Sequence, residues 1–250
     1  MKNIKMFGKL VLAVLVCTGF VACSSDDDET TNPNGGVIGG KKITMLVHEQ
    51  EDLTLTFDYD SEGKLVMASE NDRKLNYTWS DDAIDYTINW GKLRSYELKN
   101  NLVQKDMAND GSDYFYYNSA RQLKKWSPDG DLISLKWDGD KLTSVTSYDE
   151  DNSLEAKQTI TYGGCCNAGY NPLIVDIVCE GSDIIAYAHP ELFGLRSTQL
   201  PSSITTESDE VWIETGTRNY EYEFDEAGYI TKIVGKVESE IVETWTVTWE

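Results

Sequence analysis

The sequence predicts an all-β protein: an antiparallel meander of about 14–16 short strands closing into a barrel-like sheet. Three observations carry that prediction. From Lys41 onward apolar residues recur at every second position, as in Leu53, Leu55, Phe57 and Tyr59 against Thr54, Thr56 and Asp58. That is the period of a strand with one buried face. Tight-turn signals arrive roughly every 10–25 residues, so consecutive strands should be neighbours in space. Finally, Glu240 to Trp249 alternates cleanly and is long enough to pair with an early strand, which would remove the two edges an open meander leaves exposed.

The elements follow in chain order. Met1 to Lys9 is basic, and Leu10 to Ala22 is an uninterrupted apolar run. Its length falls short of the roughly 20 residues a helix needs to cross a bilayer, but suits the core of an export signal. The run ends Phe20-Val21-Ala22-Cys23, which resembles the lipobox of bacterial lipoproteins. The resemblance implies that residues 1–22 are a lipoprotein signal peptide and that Cys23 becomes a lipidated N-terminus. Next come Ser24, Ser25, Asp26, Asp27, Asp28 and Glu29. They resemble the acidic export signal of Bacteroidetes lipoproteins, which implies an outer-membrane, lipid-anchored and cell-surface location. Residues 23–40 have almost nothing to bury and read as a flexible acidic tether. Residues 41–250 then form a single antiparallel β domain.

Within that domain one turn grammar repeats. Tyr59-Asp60-Ser61-Glu62-Gly63-Lys64-Leu65 is an aromatic, an Asx turn, a glycine and an apolar restart. It recurs at Tyr117 to Leu123, Trp126 to Leu132, Trp137 to Leu142, Tyr148 to Leu154 and Phe224 to Ile230. Asp and Asn cap such turns through their own side chains, and glycine takes the positive φ that they demand. Tyr162 to Pro201 breaks the pattern and is expected to cap or plug the sheet. Its His189-Pro190-Glu191-Leu192-Phe193-Gly194 reads as one short helical turn near 190–194, with Pro190 opening it and Gly194 stopping it. The barrel is expected to be of the soluble kind. Acids and lysines spread along its strands leave no outward apolar band with aromatic girdles.

These hairpins, with Gly194 to Pro201 and Tyr222 to Ile233, resemble a Bacteroidetes surface-lipoprotein family of unknown function with a porin-like β fold. The resemblance covers residues 41–250. It implies a closed or nearly closed antiparallel sheet and implies no activity.

Charge narrows the partners. The chain carries 22 Lys and Arg against 43 Asp and Glu, a net charge of −21. Such a surface repels phosphate backbones and anionic headgroups, so no nucleic acid is expected, and membrane contact is expected only through the lipid anchor. Cys165, Cys166 and Cys179 are candidates for one disulfide, either from the adjacent pair to Cys179 or as a strained bond between neighbours, with reduced buried thiols as the alternative. Their spacing to His189 matches no standard zinc pattern. Asp106 to Asp113 and Asp129-Gly130-Asp131 are oxygen-rich but lack the alternation of a calcium loop. No metal, cofactor or catalytic residue is therefore assigned.

Glu207, Asp209, Glu210 and Glu214 surround Trp212, a candidate ligand-binding residue. The other tryptophans sit on predicted strands, and Trp245, Val247 and Trp249 share one face, which favours the core. The reading for the whole is a non-catalytic binding module for an extracellular glycan, apolar small molecule or surface protein. The alternatives are a scaffold subunit of a surface assembly and a glycan-degrading enzyme, which would need facing carboxylates in a groove.

Overall fold

The computed structural model describes residues 40–250 except 90, 92, 108–111, 129, 180–182 and 211–212. Cys23 and the acidic run behind it lie outside the described residues.

The strands are β1 (Ile43–His48), β2 (Leu53–Tyr59), β3 (Leu65–Glu70), β4 (Arg73–Trp79), β5 (Ala83–Ile88) and β6 (Leu93–Lys99). They continue as β7 (Leu102–Met107), β8 (Ser112–Tyr117), β9 (Leu123–Ser127), β10 (Leu132–Asp138) and β11 (Lys141–Tyr148). After β12 (Leu154–Cys166) the chain leaves the sheet as two short helices, α1 (Pro172–Cys179) and α2 (Ile184–Ala188), and a 3-10 turn at Pro190–Phe193. It re-enters as β13 (Gln199–Ser208), β14 (Gly216–Phe224), β15 (Ile230–Val237) and β16 (Glu240–Trp249).

Each strand pairs antiparallel with its sequence neighbours, and β1 pairs with β16, so the meander closes into a barrel. Closure runs from Ile43 opposite Trp249 to His48 opposite Trp245. The predicted fold class is the observed one, and full closure leaves no strand edge unpaired.

Alternation decides which face is wet. In β4, Leu75 and Tyr77 are buried while Lys74, Asn76 and Thr78 are exposed. In β14, Tyr220, Tyr222 and Phe224 pack against the core while Glu221 and Glu223 face outward. Charged residues at outward positions are the reverse of a membrane barrel's apolar belt.

The interior is filled. Leu173, Ile174, Val175 and Val178 of α1 and Ile184, Ile185 and Tyr187 of α2 are at most 2% exposed, in one cluster with inward strand residues such as Leu46, Leu65 and Leu123. The run Pro172 to Cys179 is apolar on nearly every side, as a helix surrounded by barrel wall requires. The expected plug is present. It contains two helices beyond the single turn that the sequence predicts.

The repeated turns are also as expected. Asp60 Oδ1 accepts from the amides of Glu62 and Lys64, each at 2.9 Å. Asp225 Oδ1 does the same for Ala227 and Tyr229 at 2.9 Å. The positive φ falls on Gly63 and Gly228, and on Arg121 and Asn152 in the sister turns.

Aromatics near the ends of several even-numbered strands have a role that the grammar alone did not reveal. Trp79, Trp137 and Trp249 donate their indole N–H groups to the carbonyls of Leu65, Leu123 and Ile230 at 2.8, 2.7 and 2.6 Å. Tyr59, Tyr162 and Tyr222 donate their hydroxyls to Ile43, Leu142 and Pro201 at 2.8, 2.8 and 2.7 Å. In every case an even-numbered strand ends by latching onto the start of the strand before it. The accepting residue is often the apolar restart of a turn, as Leu65, Leu123, Leu142 and Ile230 are. All these latches lie at the end of the barrel where β1 begins, β16 ends and the plug enters.

Candidate functional site

The two ends of the barrel differ. At the end carrying the termini, the plug is fastened to the wall. His189 Nε2 accepts from the Leu65 amide at 3.2 Å, and its Nδ1 meets Glu191 at 2.8 Å. The Leu123 amide donates to the carbonyl of Gly194 at 3.1 Å. Gly194 has φ of 61°, and a Cβ there would run into the carbonyl oxygen of Arg121. The Trp249 ring stands against Tyr170 and Tyr229, with centroids 5.4 and 5.1 Å apart.

At the opposite end the barrel holds a cavity of about 640 Å³, within the range of small-ligand sites. Asp176, Ile177 and Tyr187 of the plug line it, together with residues of β2, β3 and β12–β16. Glu51, Asn71 and Ile213 to Thr215 come from the turns around its mouth. The plug thus forms part of the lining of a cup closed at the far end.

One wall of the cup is a buried ion pair. Glu243 is 3% exposed and accepts from Arg218 Nη1 at 2.7 Å, Trp245 Nε1 at 2.7 Å and the Tyr220 hydroxyl at 3.2 Å. A carboxylate with that many donors is stable away from water. Burial works against the Arg218 guanidinium, but Tyr220 and Glu243 outweigh it and hold its pKa above the usual value. Asp176 accepts from the Tyr187 hydroxyl at 2.8 Å, which ties the plug's two helices together beside the cavity. His48 is 6% exposed and stacks on Trp245 with centroids 4.4 Å apart. Neither of its ring nitrogens makes a hydrogen bond, and Nδ1 stands 3.3 Å from the Glu51 carboxylate.

A second polar cluster lies between the plug and β4–β7. Tyr77, Tyr86 and Tyr96 stack in sequence, with centroids 5.7 and 5.1 Å apart. Tyr96 donates to Asp183 Oδ1 at 2.7 Å, and Tyr86 reaches Asp106 Oδ2 at 3.5 Å. Asp106 Oδ1 is buried with no hydrogen-bond partner. Burial, then the charges of Asp183 and Asp113, push the Asp106 carboxyl up to about 7. Burial likewise lifts Asp183 to about 6, against the hydrogen bond from Tyr96.

The residues singled out in the sequence are distributed as follows. Trp212 lies outside the described residues, but its neighbours Ile213 and Glu214 line the cavity. Glu207 is on β13 beside Lys157, 3.7 Å away, and does not line it. Trp245 lines the cavity, whereas Trp126 and Trp249 are buried core. The bridge from the adjacent cysteines to Cys179 is not made. Cys179 at the end of α1 is outside any disulfide and 1% exposed within the plug, while Cys166 on β12 is disulfide-bonded. Among the described residues no group of His, Cys, Asp and Glu is arranged to hold a metal ion. Asp106 is a buried wall residue rather than a loop ligand. The sequence reading missed Glu243, Arg218 and Asp176. The signal for Glu243 was a lone acid among Val242, Thr244 and Trp245 in a strand bound for the core.

No protein-family model matches the chain, and no curated protein matches it in sequence. Solved structures do match. A porin-like protein from Bacteroides uniformis superposes with a TM-score of 0.62 at 15% identity, covering 83% of this chain and 98% of its own. A porin-like protein from Bacteroides vulgatus gives 0.61 at 13% identity, covering 84% of this chain and 99% of its own. The chain therefore shares a porin-like barrel fold with these Bacteroides proteins.

Proposed function

We propose that the protein is a lipid-anchored, non-catalytic receptor of the bacterial outer surface that takes a soluble ligand into its mouth cavity. The observation that carries this reading is the cup itself. β1 begins and β16 ends at the latched, plugged end, and a cavity of about 640 Å³ opens at the other end. A chain anchored through Cys23 would present that mouth away from the membrane. The filled interior speaks against conduction, because apolar plug residues occupy the lumen.

The scaffold reading has less support. The most exposed large apolar side chains, Leu93, Leu154 and Ile241 at 60, 56 and 57%, sit on β6, β12 and β16. Scattered singly, such residues do not form a docking patch.

Two experiments test the proposal. A thermal-shift screen against glycans, bile salts, fatty acids, peptides, calcium and a chelator should give a saturable rise in Tm with one ligand class. A ligand at 100 times its Kd adds about 2.7 kcal/mol; a flat response across the panel would count against a small-molecule receptor. Anchoring is read separately by metabolic labelling with an alkyne fatty acid. The label should be present on the native chain and lost in Cys23→Ala, and an unlabelled native chain would remove the anchor.

A further inference from the structure

The mouth is the acidic end of the molecule. The turns around it carry Glu51, Asp52, Asp72, Asp151, Glu210 and Glu238, and no described residue in them is Lys or Arg. In sequence the one basic residue of these turns is Lys92. The opposite end is mixed, with Lys42, Lys64, Arg121 and Arg196 among its acids. The asymmetry continues into the cavity. Its carboxylates are Glu51, Glu70, Asp176 and Glu214; Glu70 is paired with Arg73 at 2.8 Å and Glu214 with Arg218 at 3.6 Å, and Arg218 is the one basic residue among the described residues of the lining. That guanidinium is matched by buried Glu243 at 2.7 Å and by Glu214 at 3.6 Å, which leaves no uncompensated positive charge for an anionic ligand among the described residues of the lining. A second, independent feature marks the same wall. His48, nine-tenths buried and without a hydrogen bond, faces Glu51 and stacks on Trp245, both of which line the cavity.

Building on the receptor reading, we infer that the cavity selects cations: its ligand carries ammonium or guanidinium groups, as a polyamine or as the basic side chains of a short peptide. A negative concavity with low-dielectric walls concentrates such ligands and speeds their arrival. The Trp245 and Tyr187 rings in the lining add aromatic surface that attracts a desolvated cation.

The test is isothermal titration of the protein with spermine, tri-arginine, tri-glutamate and cellotetraose at 50 and 300 mM NaCl. Spermine and tri-arginine distinguish a free polyamine from a peptide. The comparison variant is Glu51→Gln with Glu214→Gln, whose side chains are 69 and 73% exposed, so folding is not at stake. The control is Asp81→Asn with Asp82→Asn at the other end of the barrel. Saturable binding of at least one cation is expected, weakened about tenfold or more by the mouth variant and by salt but unchanged in the control. Cation binding that the mouth variant leaves intact would move the contact off this cavity and overturn the inference. Binding of cellotetraose or tri-glutamate alone would overturn the charge assignment and leave the receptor standing. Silence from all four probes would count against both.

Discussion

The two ends of this barrel are built from the same strands, yet one is locked and the other is open. At the locked end, polar side chains are spent on backbone carbonyls. Trp79, Trp137 and Tyr59 each tie one strand to the last, and His189 ties the plug to β3. At the open end, polar side chains meet one another across a cavity, as Arg218, Tyr220 and Trp245 do at Glu243. A latch to a carbonyl needs only the local register of two neighbouring strands. The network at Glu243 draws on β14 and β16, and the cavity it borders is lined by strands from both ends of the chain and by the plug. Stability and recognition are thus assigned to different ends of the barrel.

Removing single groups tests that division. The largest expected loss is from Glu243→Ala, which leaves the Arg218 charge uncompensated and strips two more donors of their acceptor. Breaking a buried pair in this way costs about 3–5 kcal/mol, and the partial exposure of Arg218 places the loss at the lower end. Chemical denaturation measures it; a loss below about 1 kcal/mol would mean that the pair is not buried as described. At the locked end, Gly194→Ala should cost about 3 kcal/mol, because a left-handed φ and a backbone clash act together. Ligand binding by the protein that remains folded should be unchanged.

Asp106→Asn gives a smaller effect that depends on pH and reverses the sign. The Asp106 carboxyl is raised in the fold to about 7, so folding favours its protonated form. That stability is fully present below the unfolded carboxylate range near pH 4 and is lost as pH rises through 7. The asparagine variant should therefore gain on the order of 2 kcal/mol relative to the native chain between pH 5 and pH 8. Melting temperatures at the two pH values check this, and parallel pH profiles would sink it. The groups facing this carboxyl are Asp183, Asp113, Arg94 and Tyr86, so a residual slope in the variant belongs to Asp183.

The smallest effect expected is that of Trp137→Phe, which removes one latch and keeps an aromatic ring in place. About 1 kcal/mol is the usual net value of such a hydrogen bond. Combined with Glu243→Gln it should be additive within about 0.5 kcal/mol, as for sites without shared partners. Strong coupling between them would mean that the two ends are not independent.

The barrel was legible in the sequence because period-two alternation and Asx–Gly turns are local signals. Leu75 and Tyr77 against Lys74 and Asn76 declare a wet and a dry face without reference to any other strand. Even closure could be read, since the alternation of Glu240 to Trp249 leaves a full strand in need of a partner. The helices of the plug were harder. Pro172 to Cys179 is so uniformly apolar that it shows no period, and only the surrounding wall makes it a helix. The site was least legible. Glu243, Arg218, Asp176 and Glu51 lie on β16, β14, the plug and the β1–β2 turn, and nothing in the spacing of acids along the chain says which of them the closed sheet will gather. The tryptophans misled for a related reason. Trp79 and Trp137 look like binding platforms until the carbonyls that take their N–H groups are located.

The central claim is that the lumen is filled and the molecule is a cup with one open end. Hydrogen exchange of the backbone amides, followed by mass spectrometry under native conditions, tests it most directly. Amides of Leu173 to Val178 and Ile184 to Ala188 should exchange as slowly as the central residues of the barrel strands, opening only with global unfolding, while the mouth turns exchange quickly. Exchange of the plug within seconds, with the strands still protected, would mean a loosely held segment in an open lumen and would contradict the account.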